Sequence, residues 1–215
     1  MTNSLKLILA LLLSGALVCI FVLLGSSMGV LSSQGYGLKL DRIIEPVYLQ
    51  ASDGKHVSFP PEGQTSLVFL GFIQCPTICP RAMRVLQQTI SQAKQSDLEV
   101  SGVFVSIDPE RDSLEALASW RESLRLPVQA YRPETRKEAK GLMRSLNGTT
   151  SNSGAMEHSA FLYLFDRDGK LRRIYPHENP SIEGILADIE QLSKETREKD
   201  TTGSREAMLI TEIFL

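Results

Sequence analysis

The stretch SLVFLGFIQCPTICP, residues 66–80, joins a run of apolar residues to two closely spaced cysteines. Residues 66–73 are almost continuously apolar, which is typical of a short central strand buried on both faces. Cys75 and Cys79 follow directly, and Pro80 suits an early position in a helix. The stretch therefore predicts a buried strand, a turn that carries the cysteines, and a helix.

The segments on either side of this stretch predict an α/β domain. After the cysteines, apolar residues recur every three or four positions up to residue 93, as in an amphipathic helix. Turn signals and apolar periodicity predict the other elements: hairpins at 47–59 and 160–175, a strand at 98–107, and helices at 113–124, 134–146 and 181–195. Strands that alternate with helices in this way predict a sheet covered by helices, similar to a thioredoxin fold.

Composition limits the classes of partner. A chain of 215 residues with 42% hydrophobic residues can form one domain with a packed core and an appendage. Its formal net charge of −2 gives no sign of a nucleic-acid partner, because nucleic-acid-binding domains usually carry a basic surface.

The N-terminal segment predicts a membrane anchor. Residues 7–24 are almost wholly apolar, which is long enough to cross most of a bilayer and longer than the apolar part of most cleaved signals. Cleavage near Gly25 remains the alternative. Lys6 precedes the span, so we expect the domain on the exported side, and Cys19 is interpreted as an apolar filler within the span. The predicted organisation is an anchor or signal at 1–30, a tether at 31–43, the domain at 44–197 and a C-terminal tail at 198–215.

Export limits what Cys75 and Cys79 can do. Outside the cytosol, thiols become disulfides unless a reductant or a metal protects them. A position at a helix N-terminus favours the thiolate form, which both metal binding and disulfide exchange require. Thioredoxin-like oxidoreductases use C-x-x-C, whereas this chain has C-x-x-x-C. A metal clamp, a redox pair and a structural disulfide all remain open from the spacing.

A third ligand would distinguish a metal site from the other two uses. Of the three histidines, His56 and His177 lie in turns and are expected on the surface. His158 follows a loop that is predicted to be flexible from its composition (NGTTSNSG, residues 147–154) and precedes a predicted strand, so a hydrogen-bonding role and a ligand role are both open. Two thiolates and an imidazole suit Cu(I) and Cu(II), although zinc accepts the same atoms.

Three ordered blocks resemble the Sco/SenC family of copper-binding proteins. They are GFIQCPTICP at 71–80, VSIDPERD at 105–112 and HSAFLYLFDRDGKL at 158–171. The resemblance spans residues 47–189. It implies a membrane-anchored, thioredoxin-like domain in the periplasm or the mitochondrial intermembrane space, with copper bound by Cys75, Cys79 and His158.

The family resemblance also implies a function and partners. The expected function is delivery of copper to the binuclear centre in the copper subunit of cytochrome c oxidase, with a copper donor or a thiol reductant as further partner. The rival is a thiol-disulfide oxidoreductase that uses Cys75 and Cys79 to keep the recipient's cysteines reduced. A thioredoxin-like peroxidase lacks a recognisable peroxidatic site, and a structural disulfide leaves His158 without a role.

Two further positions qualify the resemblance. Thr77 stands where the family often has Asp, which affects the expected copper affinity and redox preference. Glu157 is a candidate neighbour that orients His158. The acidic and basic residues at 108–112 are expected either to cap the next helix as solvated charges or to lie near the cysteine turn and contribute to partner docking.

Overall fold

A computed structural model describes residues 35–124, 128–146, 161–176 and 179–213, with side chains described up to residue 202. The described chain forms eight strands and four helices. In chain order they are β1 (Leu38–Ile43), β2 (Val47–Ala51), β3 (His56–Phe59), β4 (Ser66–Gly71), α1 (Ile78–Gln95), β5 (Ser101–Ser106), α2 (Leu114–Ser123), β6 (Val128–Arg132), α3 (Arg136–Ser145), β7 (Leu162–Phe165), β8 (Lys170–Tyr175) and α4 (Ile182–Ile213).

The strands form one sheet in the order β1-β8-β7-β4-β5-β6-β2-β3. At its centre β4 runs parallel to β5 and antiparallel to β7, while β6 extends the parallel part. Every residue of β4 is buried. Burial on both faces explains why the sequence of this strand is apolar without alternation.

Alternate residues of β4 pack into two cores on opposite faces of the sheet. Leu67 and Phe69 pack with buried residues of α1, α2 and α4. Val68 and Leu70 pack with residues of α3 and of the β2–β3 hairpin. This layered α/β arrangement confirms the predicted fold class and places the start of α1 beside the carboxyl end of β4.

Most predicted elements are confirmed, including both hairpins and the strand and helix on either side of the cysteines. Three differ. The strand β6 was not predicted between the two middle helices, because its five residues alternate only weakly between buried and half-buried. The segment 31–43, expected as a tether, contains β1, which pairs with β8. The final helix continues past residue 195 into the expected tail.

A buried carboxylate explains why the residues immediately before β1 join the domain. Asp188 of α4 accepts hydrogen bonds from the backbone N–H groups of Tyr36 and Gly37 at 3.0 and 2.8 Å. It also accepts from the hydroxyl of Tyr175 at 3.0 Å and lies 3.4 Å from Nε of the buried Arg173. These long-range contacts place the domain boundary at Tyr36, where the compact unit that contains the sheet begins.

The predicted anchor at 1–30 lies outside the described residues, as does Cys19. Within the part of the chain that is described, none of the helices combines the length and the apolar character needed to span a bilayer.

Candidate functional site

The turn between β4 and α1 brings the two cysteines together. The backbone N–H of Cys75 donates to the carbonyl of Phe72 at 3.3 Å. One helical turn later, the N–H of Cys79 donates to Sγ of Cys75 at 3.4 Å. Thr77, at the N-cap position, makes no side-chain capping bond. The Cys75 sulfur therefore takes over part of the capping role that a serine or aspartate oxygen usually performs.

Both cysteines are thiols with little exposed surface. Cys75 is 7% exposed and Cys79 is 4% exposed. Gly71, the last residue of β4, allows this approach, because a Cβ there would lie 2.9 Å from Sγ of Cys79 and 2.7 Å from the ring of Phe69. The sulfur of Cys79 therefore packs against the end of the central strand.

The two thiols differ in acidity. Burial opposes ionisation of Cys75, but hydrogen bonds from the backbone and thiol of Cys79 and from the N–H groups of Thr77 and Ile78 together lower its pKa. The pKa of Cys79 is raised to about 12: burial is the largest cause, the neighbouring Cys75 sulfur and Asp112 carboxylate also raise it, and a hydrogen bond with the Phe72 backbone lowers it. Cys75 is thus the sulfur more ready to act as a thiolate.

The segment after β5 packs against the same turn. Asp112 Oδ2 accepts from the N–H of Ile73 at 3.0 Å and from the hydroxyl of Ser106 at 2.6 Å. Burial raises the pKa of Asp112. Arg111 forms an ion pair with the buried Asp108, and its guanidinium lies 5.3 Å from the ring centroid of Phe72.

These contacts correct one expectation and add residues that sequence reasoning missed. Asp108 and Asp112 are 1% and 2% exposed, so they are not solvated charges. Ser113, whose hydroxyl accepts from Ala116 N–H at 3.1 Å, caps α2 in their place. The position of Asp112 beside the cysteine turn confirms that the residues at 108–112 lie near it, whereas the hydrogen bond to the Ile73 N–H itself was not predicted. The VSIDPERD block was its only sequence signal.

The histidines fall in different parts of the chain. His158, its neighbour Glu157, and His177 lie outside the described residues. His56 is exposed and its Nε2 lies 2.7 Å from Oε1 of Glu134, which confirms its expected surface position. Among described residues, no group of three or more histidine, cysteine, aspartate or glutamate side chains is arranged to hold a metal ion.

The described donor set fits a soft metal ion or a dithiol redox couple. Two sulfurs one helical turn apart, one of them with a lowered pKa, offer the thiolate ligands that soft metals prefer. The same pair has one sulfur with a lowered pKa, which can attack a disulfide, and a second sulfur one turn away that can close the intramolecular disulfide.

Residues 40–194 match the SCO1/SenC family. The SCO2-like protein RT0576 of Rickettsia typhi is 29% identical over 115 residues, a match that covers 50% of this chain and 57% of the relative. The chain thus spans little more than half the length of that relative.

Solved structures of low identity share the fold. Arabidopsis thaliana ScoI with copper bound has a TM-score of 0.63 at 23% identity, covering 72% of this chain and 99% of that one. BsSco is described with a disulfide switch and as a member of the Sco family of cytochrome c oxidase assembly proteins. Its structure has a TM-score of 0.64 at 24% identity, and the match covers 74% of this chain and 97% of BsSco. The likeness confirms the predicted thioredoxin-like α/β fold. The match over residues 40–194 shows that the chain belongs to the SCO1/SenC family.

Proposed function

We propose that this protein is a copper metallochaperone. It binds Cu(I) or Cu(II) through Cys75, Cys79 and His158 and delivers the ion to the binuclear copper centre of cytochrome c oxidase during assembly of that enzyme. Copper is the cargo of the protein, so a site that can release it serves the function better than a closed four-ligand site would.

The cysteine pair carries the proposal. Two thiols at the start of one helix, with Cys79 N–H donating to Sγ of Cys75 at 3.4 Å, offer two soft ligands from a short stretch of backbone. Family membership and the copper-bound structure of the related Arabidopsis ScoI support copper as the ion. The description of BsSco as one of the cytochrome c oxidase assembly proteins supports the recipient.

His158 is the proposed third ligand. It begins the third of the blocks that resemble the family, and the strand that follows it, β7, lies next to β4 in the sheet. Since β4 and β7 are antiparallel, β7 begins at the end of the sheet where β4 leads into the cysteine turn, and this position of β7 supports the proposal. Glu157 is a candidate for holding the imidazole in one orientation.

The proposed location is the exported face of a membrane. The apolar run at 7–24 would anchor the domain in the periplasm or, alternatively, in the mitochondrial intermembrane space. Its partners there would be the copper subunit of the oxidase, together with a copper donor or a thiol reductant.

The difference in acidity between the two thiols favours one second candidate, a thiol-disulfide reductase. Cys75 thiolate would attack a disulfide of the recipient, forming a mixed disulfide and releasing one recipient thiolate. Cys79 would then lose its proton and attack Sγ of Cys75, releasing the second recipient thiolate. Two electrons pass to the recipient, and Cys75 and Cys79 end as a disulfide. The disulfide switch described for BsSco is consistent with this chemistry.

Copper titration of three proteins tests the metallochaperone. The wild type, His158→Ala and the control His56→Ala, which changes an exposed histidine outside the cysteine turn, are titrated with Cu(I) and Cu(II). We expect His158→Ala to lower the affinity for Cu(II) more than the affinity for Cu(I), because an imidazole ligand contributes more to binding of the harder ion. His56→Ala should match the wild type. Identical affinities of the wild type and His158→Ala for both ions would rule out the three-ligand site.

An assay on the same preparation separates the two functions. The metal-free protein is mixed with a protein disulfide, and the release of thiols is followed with time. Measurable copper binding with slow reduction supports the metallochaperone. Rapid reduction without copper binding would replace it by the reductase.

A further inference from the structure

The segment between β5 and α2 holds two consecutive residues of the turn that leads to Cys75. Asp112 Oδ2 accepts the N–H of Ile73 at 3.0 Å, and the guanidinium of Arg111 lies 5.3 Å from the centroid of the Phe72 ring. The carbonyl of Phe72 in turn accepts the N–H of Cys75 at 3.3 Å. The contact from the Asp112 side chain to Ile73 therefore lies only two residues before Cys75.

The carboxylate that makes this contact is itself fixed. Asp112 is 2% exposed, and the same Oδ2 atom accepts from Ser106 Oγ at 2.6 Å. Its backbone N–H donates to the carbonyl of Asp108 at 2.9 Å. Ser106 ends β5 directly opposite Gly71, the residue that ends β4. The Asp112 carboxylate is thus held in place by a residue of one of the two central strands, and it does not rotate freely.

We propose that Asp112 is a positioning residue for the cysteine pair. By holding the Ile73 N–H it sets the direction in which the chain leaves β4, and with it the separation of the sulfurs of Cys75 and Cys79. In this role Asp112 acts through the backbone N–H of Ile73 and not as a metal ligand. This inference rests on the proposed function of the two cysteines as a working pair.

Two substitutions at this position separate the acceptor from the charge. Asp112→Ala removes the oxygen that accepts the Ile73 N–H, whereas Asp112→Asn keeps a carbonyl oxygen there and loses the charge. Loss of a group that orients metal ligands typically lowers metal affinity by about 10- to 100-fold. We expect Asp112→Ala to lower the affinity for Cu(I) by a factor in this range. Asp112→Asn should bind within about threefold of the wild type by the same principle.

A matched control is available at the β7–β8 turn. Asp166 is also buried and accepts the backbone N–H groups of Asp168 and Lys170, each at 3.0 Å. Asp166→Ala removes a buried carboxylate that accepts backbone N–H groups in a different turn, and it also breaks an ion pair with Arg172. It should lower the thermal unfolding temperature and leave copper affinity unchanged for the folded protein. All variants are compared at a temperature where each is folded by circular dichroism.

Two measurements distinguish a positioning role of Asp112 from a general loss of stability. The first is the sulfur-to-Cu(II) charge-transfer band, which we expect Asp112→Ala to shift and Asp112→Asn and Asp166→Ala to preserve. The second uses no metal: the ratio of dithiol to disulfide is measured in buffers of reduced and oxidised glutathione. Glutathione disulfide accepts the two electrons as Cys75 and Cys79 join. Asp112→Ala should change this ratio by about tenfold because it alters how closely the sulfurs approach.

The outcomes are distinguishable. If Asp112→Ala matched the wild type in both measurements, the positioning role would be wrong. If Asp112→Asn behaved like Asp112→Ala, the charge and not the hydrogen-bond acceptor would matter, which also contradicts the proposal. A wild type that binds no copper would overturn the metallochaperone alone, since the glutathione equilibrium still decides whether Asp112 positions the thiols.

Discussion

At the scale of single residues, Cys75 and Cys79 share one turn and still ionise at different pH. The backbone N–H groups at the start of α1 point towards Cys75 and lower its pKa, against the effect of burial. Cys79 lies deeper, and burial raises its pKa to about 12. The pair therefore has one thiolate-forming sulfur and one sulfur that stays protonated until a metal or a disulfide partner takes the proton's place.

Alkylation of the metal-free protein by iodoacetamide tests this difference. The thiolate is the reacting form, so at pH 8 we expect Cys75 to be modified well before Cys79. The rate at Cys75 should rise with pH and reach half of its maximum below the pKa of an ordinary thiol, since its pKa is lowered. The rate at Cys79 should keep rising across the same range. Mass spectrometry of peptic peptides measures both, and faster modification of Cys79 would contradict the assignment.

Gly71 is the second residue with a local consequence. An added Cβ would lie 2.7 Å from the Phe69 ring and 2.9 Å from Sγ of Cys79. Gly71→Ala should lower the free energy of unfolding by about 1–3 kcal/mol, as overpacking of a core does. It should also change the reactivity of Cys79. Urea denaturation and alkylation measure the two effects.

Gly141 supplies the control for this substitution. It lies in α3, and a Cβ there would meet nothing within 4 Å. Gly141→Ala should stabilise the protein by about 0.5–1 kcal/mol, because alanine loses less conformational freedom in a helix. Destabilisation by both substitutions to a similar extent would mean that the space around Gly71 is not the cause.

At the scale of elements, α4 binds the two residues that precede β1 through one buried carboxylate. Asp188 accepts from Tyr36 and Gly37 N–H and from Tyr175, and it pairs with Arg173, which is also fully buried. An edge strand of six residues with few buried side chains gains little from packing alone. The carboxylate therefore joins the first strand to the last helix of the domain.

Asp188→Ala tests this connection. It leaves the Arg173 charge buried without its partner, which typically costs about 3–5 kcal/mol. We expect a loss of unfolding free energy of that order, and faster hydrogen exchange in β1 than in β4. Glu190→Ala, on the same helix, breaks an exposed pair with Lys194 and should barely move the urea midpoint. Equal effects of the two substitutions would contradict the role of Asp188.

At the scale of the whole molecule, we propose that the apolar run at 7–24 attaches the protein to a membrane. We expect the full-length protein to remain with the membrane fraction after carbonate extraction. Leu17→Arg, near the middle of the run, should release it, because a charge at the centre of a bilayer span costs about 2.5–3.5 kcal/mol on insertion scales. Leu17→Ile keeps the apolar character and should stay in the membrane. Release of the wild type would contradict the anchor.

The sequence by itself determined the strand, the cysteine turn and the helix that follow one another at 66–95. Each of these depends on a pattern within a few residues: a continuous apolar run, a cysteine pair, and a repeat of three to four. The two hairpins and the family could be predicted for the same reason, since Asp-Gly turns and the three ordered sequence blocks are local signals. His158 as a ligand comes from those blocks, and it stays a prediction.

Only the tertiary structure decided which residues distant in sequence contact these local elements. The pairing of β1 with β8 and the insertion of β6 follow from hydrogen bonds across the sheet, and short, half-buried strands leave little periodicity in the sequence. The contact from Asp112 to Ile73 joins residues 39 positions apart. Burial, which separates the pKa of Cys79 from that of Cys75, exists only once the chain has folded around both sulfurs.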